Sequence, residues 1–548
     1  MNNVLFRFAP LSLRAMALAA FLSLGMSSCD VTDLEPKDAI TESAAFTTPE
    51  RIALAVTGVY NAAQSGFYDP LNGGALQTRG YPFGSAATEF GDVRGEDVVD
   101  MAGFFGIVYS NVQTPSSPNV VGMWSNLYAL INQCNVVIEG VRAAQQRGTI
   151  DQATAAAYEG ECRYLRALAY HELLLHFARP FSDNNGSSLG VPYRDFAVNT
   201  SATLERAKTA GRNTVAEVYT GMLADLDFAE QSLPTTRTGN LRVTRVTKGA
   251  AIALKQRLRQ HQQNWAAAKA EGDKLVAVST AAPGGFSSPL GGYQLQATPQ
   301  AAFPGGTSVT AENIFSIENS SDDNPGVNGA LPNFFGSPAT APVGVQGRGL
   351  IAISPILFNA SFWPCNDLRR TQLLQPNNAT PARYHSFKYK DAATNTDFAP
   401  ISRYAEVLLN QAEAEARLGN SVRAVALLNA VRGRAVQAAD LYPVTLTGDA
   451  LVQAILNERR IELLAEGFRW DDIHRLSPTS FSPRATGGIP AKAGNAQSVV
   501  ANYACGTSPA LTPSVSAIPY SDYRFLWPIP AIEVANNPVL AAQQNPGY

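Results

Sequence analysis

The chain has 548 residues, enough to bury a sizeable core, and 45% hydrophobic against 16% charged residues fit a folded protein with extended, uncharged loops. A formal net charge of -3 and the lack of any Lys/Arg-rich run exclude the electrostatic footprint that nucleic acid requires. Cys134, Cys162, Cys365 and Cys505 are too scattered for a CxxC metal site or a disulfide scaffold; all four read as structural, with a Cys365 to Cys505 bridge neither required nor excluded.

Residues 1–28 differ from the rest. Arg7 and Arg14 give a positive n-region, and 15–26 is an apolar stretch of about a dozen residues, the length of a signal-peptide core. A spanning helix needs roughly 20. Ser27 and Ser28 lead straight into Cys29, which looks like a lipobox, the signal for cleavage before that cysteine and its acylation. Each buried methylene contributes about 0.8 kcal/mol, so two or three acyl chains would anchor the protein stably without spanning the membrane.

The body opens with a predicted helix over 48–64, with Thr48 as cap, Pro49 at its first position and Ile52, Val56, Val59 and Tyr60 at helical spacing. Residues 66–119 are rich in Gly and aromatics, have little periodicity and read as long ordered loops. Helical segments at 120–147 and 151–177, joined by a short turn, form a hairpin. Another spans 214–231, where Thr214 and Glu217 make a capping-box pattern, and further helices cover 248–260 and 265–278.

Residues 281–352 carry Gly, Pro, Ser and Asn without helical or strand period, yet Phe286, Tyr293, Phe303, Phe315, Phe334 and Phe335 argue for order, since disordered segments are poor in aromatics. The segment 404–435 has a helix, Gly-Asn turn, helix layout like one tetratricopeptide repeat of about 34 residues. The expected fold is therefore mostly α, with tetratricopeptide-like helical repeats forming a scaffold, long irregular loops and a few short strands. The expected organisation is a lipoprotein signal peptide at 1–28, an N-terminal helical-repeat part at 29–280 and a C-terminal part with long loops at 281–548, packed as one globular unit.

Four blocks carry a resemblance. The first runs Glu161-Cys162-Arg163-Tyr164-Leu165-Arg166-Ala167 to Tyr170, then His176-Phe177-Ala178-Arg179-Pro180 and Gly190-Val191-Pro192. The second is Arg403-Tyr404-Ala405-Glu406-Val407-Leu408-Leu409, ending in Ala412-Glu413-Ala414. The third spans Ile455 to Arg475 through Glu458-Arg459, Glu462-Leu463, Glu466-Gly467-Phe468-Arg469 and Asp472-Ile473-His474-Arg475. The last comprises Pro528-Ile529-Pro530 and Gln544-Asn545-Pro546-Gly547-Tyr548. In this order, with the lipobox, they resemble the SusD/RagB family of outer-membrane nutrient-binding lipoproteins; Ala178 replaces the usual glycine of one turn. The resemblance implies a surface lipoprotein that is not an enzyme. It would bind a glycan or peptide and work with a SusC-like TonB-dependent transporter barrel, to which the helical-repeat side would face. The polar stretch with Asp30, Asp33, Glu35 and Asp38 is similar to the tether of surface-exported members. The alternative is a tetratricopeptide-like scaffold that binds peptides or proteins on a concave face.

Catalytic patterns are weaker. Glu458, Glu462 and Glu466 fall at i, i+4 and i+8 of a helical pattern, as acid-base pairs can, but Arg459, Arg460, Arg469 and Arg475 are interleaved and would hold them ionised in salt bridges. His171-Glu172 and His176 are one residue too long for a zinc helix, because five residues at 100° each turn the imidazoles about 140° apart. No GxSxG elbow or phosphate loop is present, and no metal or other cofactor is expected.

A saccharide presents apolar C–H faces and a hydroxyl rim, so its site needs aromatic platforms beside amides or carboxylates. Two loop regions offer that mixture: Asp92, Asp97, Asp100, Phe104, Phe105 and Tyr109, and then Asn333, Phe334, Phe335 and Trp363. Trp124, Trp265, Trp470 and Trp527 lie in helical or motif contexts and are assigned to the core.

Overall fold

A computed structural model describes residues 42–65, 79–277, 286–306, 308–338, 346–377 and 383–548. The expected signal peptide, Cys29 and the expected acidic tether lie outside these residues.

The described chain is mostly helical, and its start signals act as the side-chain chemistry requires. Helix α1 (Pro49–Ser65) begins behind Thr48, whose hydroxyl accepts the Arg51 amide. The next region shows little period in its residues, yet it holds α2 (Ala86–Val93) and the short strand β1 (Val98–Asp100). The hairpin of α3 (Pro118–Gln146) and α4 (Gln152–Phe177) follows, with the Asp151 carboxylate accepting the Thr154 amide at 2.8 Å. At α5 (Val215–Ser232) the Thr214 and Glu217 side chains cap each other's backbone amides reciprocally. Such a cap supplies about 0.5–2 kcal/mol. Helices α6 (Lys248–His261) and α7 (Trp265–Asp273) pair next; α7 stops short of the predicted 278.

The region 281–352 is less irregular than its sequence suggests. It contains β2 (Asn313–Ile317), α8 (Leu331–Phe335) and β3 (Ile351–Ile353). Every residue of β2 is buried, so the alternation by which a half-exposed strand is recognised is missing. After the hairpin β4 (Leu374–Pro376) and β5 (Tyr384–Ser386), β6 (Ala399–Arg403) pairs antiparallel with β2 and runs directly into α9 (Tyr404–Arg417). Helices α10 (Ser421–Arg432), α11 (Gly448–Glu462) and α12 (Phe468–Leu476) complete the scaffold.

Helix packing joins the two halves of the sequence: α7 and α6 lie against α9, and α12 lies against α2. One continuous apolar core runs from Phe46 to Leu540. Trp124, Trp470 and Trp527 are buried as expected, whereas Trp265 is only half-buried. Cys365 and Cys505 form a disulfide with Cα atoms 5.6 Å apart, and Cys134 and Cys162 are buried free thiols.

The third sequence block is not one helix. α11 ends at Glu462, Ala465 and Gly467 take positive φ (65° and 87°), and the chain turns into α12. A Cβ on Gly91 would lie 1.9 Å from the Gly467 carbonyl oxygen, so α2 and this turn cross with only backbone between them. The Gly467 amide donates to the Asp92 carboxylate at 3.1 Å across that crossing.

Candidate functional site

The carboxylates with a catalytic-looking spacing are tied into ion pairs, but not with the arginines interleaved beside them. Glu458 pairs with Arg369 (2.6 Å) and Arg432 (2.8 Å). Glu462 meets Arg369, Arg403 and Arg434, and Glu466 meets Lys388 and Arg403. The interleaved arginines face elsewhere. Arg459 pairs with Asp472, Arg475 with Asp472 and Glu413, and Arg460 and Arg469 with Glu96 and Asp97. Within α11, Arg459 and Arg460 are turned about 100° and 200° from Glu458 and leave its face, while Arg469 and Arg475 lie beyond the helix end at Glu462. Burial alone would push Glu462 and Glu466 upward; the surrounding Arg and Lys charges outweigh it and hold both below the usual carboxylate range.

The two predicted ligand segments do come together. β1 pairs with β3 in antiparallel register, Val98 opposite Ile353 and Asp100 opposite Ile351. Above this ribbon a chain of rings connects both segments, from Phe104 to Phe105 (5.1 Å between centroids), on to Phe334 (5.3 Å) and to Phe335 (4.9 Å).

Most of the named residues, however, face inward. Asp92 is buried at the α2 crossing, and Asp97 is buried against Arg460 and Arg469. Phe105, Phe334, Phe335 and Trp363 are buried in the core, Trp363 beneath the Arg370 guanidinium (4.2 Å). Tyr109 donates its hydroxyl hydrogen to the Ala493 carbonyl, and the Asn333 amide reaches Asn395. As arranged, none of these presents a platform to solvent. Short loops laid over a helical body need apolar fill of their own, and these rings supply it.

Phe104 and Asp100 are the two that keep exposure. The Phe104 ring sits between the guanidinium groups of Arg79 (5.1 Å) and Arg348 (5.8 Å). Arg348 is exposed and donates to the Asn328 side-chain oxygen at 2.6 Å. One Asp100 oxygen accepts the Gly103 and Ala102 amides and shapes the loop, while the other is buried without a hydrogen-bond partner; burial raises this carboxyl above its ordinary range. Exposed Asn495 donates to the Met101 carbonyl on the same loop and accepts from Arg383. An aromatic edge with guanidinium and amide groups around it is thus assembled from five separate stretches of chain. Sequence reasoning found Phe104 and missed Arg79, Arg348, Asn328, Asn495 and Arg383; the isolated arginines beside glycine, Arg79-Gly80 and Gly347-Arg348-Gly349, were the available signal.

A second concavity of 460 Å³ lies between α3 and the stretch 194–208, with Tyr128, Asn132, Arg194, Phe196 and Glu533 on its walls. No helix among the described residues is long and apolar enough to cross a membrane.

A helical scaffold that carries its loops and short antiparallel ribbons over one continuous core defines the SusD-like class of fold. A solved SusD superfamily protein from Bacteroides fragilis superposes with a TM-score of 0.71 at 24% identity, over 90% of this chain and 99% of that one. The surface glycan-binding protein A of Bacteroides uniformis gives a TM-score of 0.66 at 19% identity, over 91% and 99%. The family model described as SusD family matches residues 372–548, and the one described as starch-binding associating with outer membrane matches 105–259. SusD-like protein P38 of Formosa agariphila is 25% identical over 83% of this chain and 90% of its own length. The chain belongs to the SusD/RagB family.

Proposed function

We propose that this chain is a surface lipoprotein, anchored in the outer membrane through Cys29, that binds an oligosaccharide and delivers it to a partner TonB-dependent transporter. The observation that carries the reading is the Phe104 surface. A half-exposed ring flanked by Arg79 and Arg348, with Asn328 and Asn495 beside them, suits the apolar faces and hydroxyl rim of a sugar. The description of one matching family model names starch and the outer membrane, and the printed name of one structural neighbour is a surface glycan-binding protein. Binding without turnover fits the ion-paired state of Glu462 and Glu466, which leaves neither free to trade protons near neutral pH.

The transporter would dock on the stacked helices, whose broad face suits an interface well above the roughly 1,600 Å² of a standard one. Screening the purified chain on an oligosaccharide array should yield a ligand, and mild-detergent extraction of native membranes should co-purify a barrel. An array on which peptides bind and sugars do not would favour the scaffold reading. Mass spectrometry of the native protein should find lipid on Cys29.

A further inference from the structure

Sequence spacing pairs His171 with His176 and turns them apart; the fold instead sets His171 of α4 against His261, the last residue of α6, and Asp471 in the first turn of α12. The Asp471 Oδ1 lies 3.7 Å from His171 Nε2 and 3.5 Å from His261 Nε2, and one donor atom from each residue falls within 4.8 Å of the other two. The two imidazoles stand nearly perpendicular, their centroids 4.8 Å apart. Donors on a tetrahedral zinc ion at about 2.0–2.2 Å are separated by roughly 3.3–3.6 Å, so the His261 to Asp471 distance already matches, the His171 to Asp471 distance exceeds it by about 0.1 Å, and the two rings need close by only about an ångström.

His171 is 2% exposed and neither of its ring nitrogens has a hydrogen-bond partner, which is uncommon for a buried polar group. His171 and Asp471 both line a 50 Å³ cavity, room for a metal-bound water. Arg257 borders the same cavity, but its charge is met by Glu406 at 2.7 Å.

We infer that His171, His261 and Asp471 form a binding site for a divalent first-row transition-metal ion, with zinc as the natural probe, that ties α4, α6 and α12 together. The three helices come from both halves of the sequence, so the ion acts as a cross-link of the fold, independent of any ligand at the Phe104 surface. Two imidazoles and one carboxylate suit zinc and its neighbours in the first row, and one water ligand facing the cavity would complete a tetrahedral shell.

The test uses the untagged chain, refolded in parallel with zinc and with a chelator, then desalted. The expected result is one zinc per chain in the first sample, a higher thermal midpoint than in the second, and an X-ray absorption spectrum showing two imidazoles on the metal. His261→Gln and Asp471→Asn, each checked for folding by circular dichroism, should lose the stoichiometric zinc and the difference in midpoint. Zinc that stays substoichiometric in the parent overturns the proposal, as does a spectrum with fewer than two imidazoles. So does a folded variant that still retains one zinc. The absorption spectrum needs no variant, so a variant that fails to fold leaves the parent result decisive.

Discussion

Arg403 and Arg348 show the same side chain put to opposite uses. Arg403, at the end of β6, is buried and divides its guanidinium among Glu312, Glu462 and Glu466, with Arg434 bridging Glu312 and Glu462 alongside it. Arg348 is exposed, leans over one half-buried ring and donates to the Asn328 side chain and, at 3.5 Å, to the Val327 carbonyl, contacts that a ligand could replace. In the first region nearly every donor is matched to an acid, so its charges hold the fold in place. In the second, polar groups remain available beside an apolar surface, which is what recognition needs.

Removing the buried centre should have the largest effect. Arg403→Ala leaves three buried carboxylates short of a partner, and a loss of about 3–5 kcal/mol is expected in chemical denaturation. A loss below about 1 kcal/mol would mean that Arg434 and Lys388 compensate and that the network is redundant. Phe335→Ala is next, at about 3 kcal/mol or more, because the ring is fully enclosed against Phe334 and Tyr389. Were that variant as stable as the parent but weak in ligand binding, the inward assignment of this ring would be wrong.

Acid should act on the same network. Glu462, Glu466 and Asp472 are depressed, and Glu413 and Glu96 are held at about 2, in each case because neighbouring Arg or Lys charges outweigh burial. A depressed folded-state pKa gives stability that is present above the unfolded value, about 4 for these acids, and is lost as pH falls through the folded one. The thermal midpoint should therefore drop steeply between about pH 4 and 2. Glu172 works in the opposite sense, since burial and Asp471 push it up to about 8; its contribution improves as pH falls from there. A midpoint independent of pH below about 4 would contradict the ionised network.

The smallest effect on stability and the most specific one on binding belong to the exposed region. Phe104→Ala and Arg348→Ala should change stability by no more than about 0.5 kcal/mol. Each should weaken an array-identified saccharide at least tenfold, about 1.4 kcal/mol, by titration calorimetry. Unchanged affinity in both, with loss on Phe196→Ala, would move the ligand to the concavity beside α3.

Legibility followed the range of the interactions. Helices α3, α4, α5 and α6 were readable to within a few residues because the Thr214 capping box and the helical apolar patterns act locally. β2 was not, since a short, fully buried strand has no alternation to display and is fixed by its partner β6 some eighty residues on. The two segments named for a ligand were not readable as neighbours, and burial decides their rings: Phe105, Phe334 and Trp363 serve packing, whereas Phe104 keeps an outward edge.

What the sequence determined by itself was the helical class, the caps and the expectation that the acids of the third block are ion-paired, all of which depend on residue type and near spacing. Which arginine meets which acid, which rings face solvent, and that His171, His261 and Asp471 cluster together were decided only by tertiary structure. Those pairings join residues as much as 373 positions apart, and a side chain's partner at that separation depends on how helices cross, which local pattern does not encode.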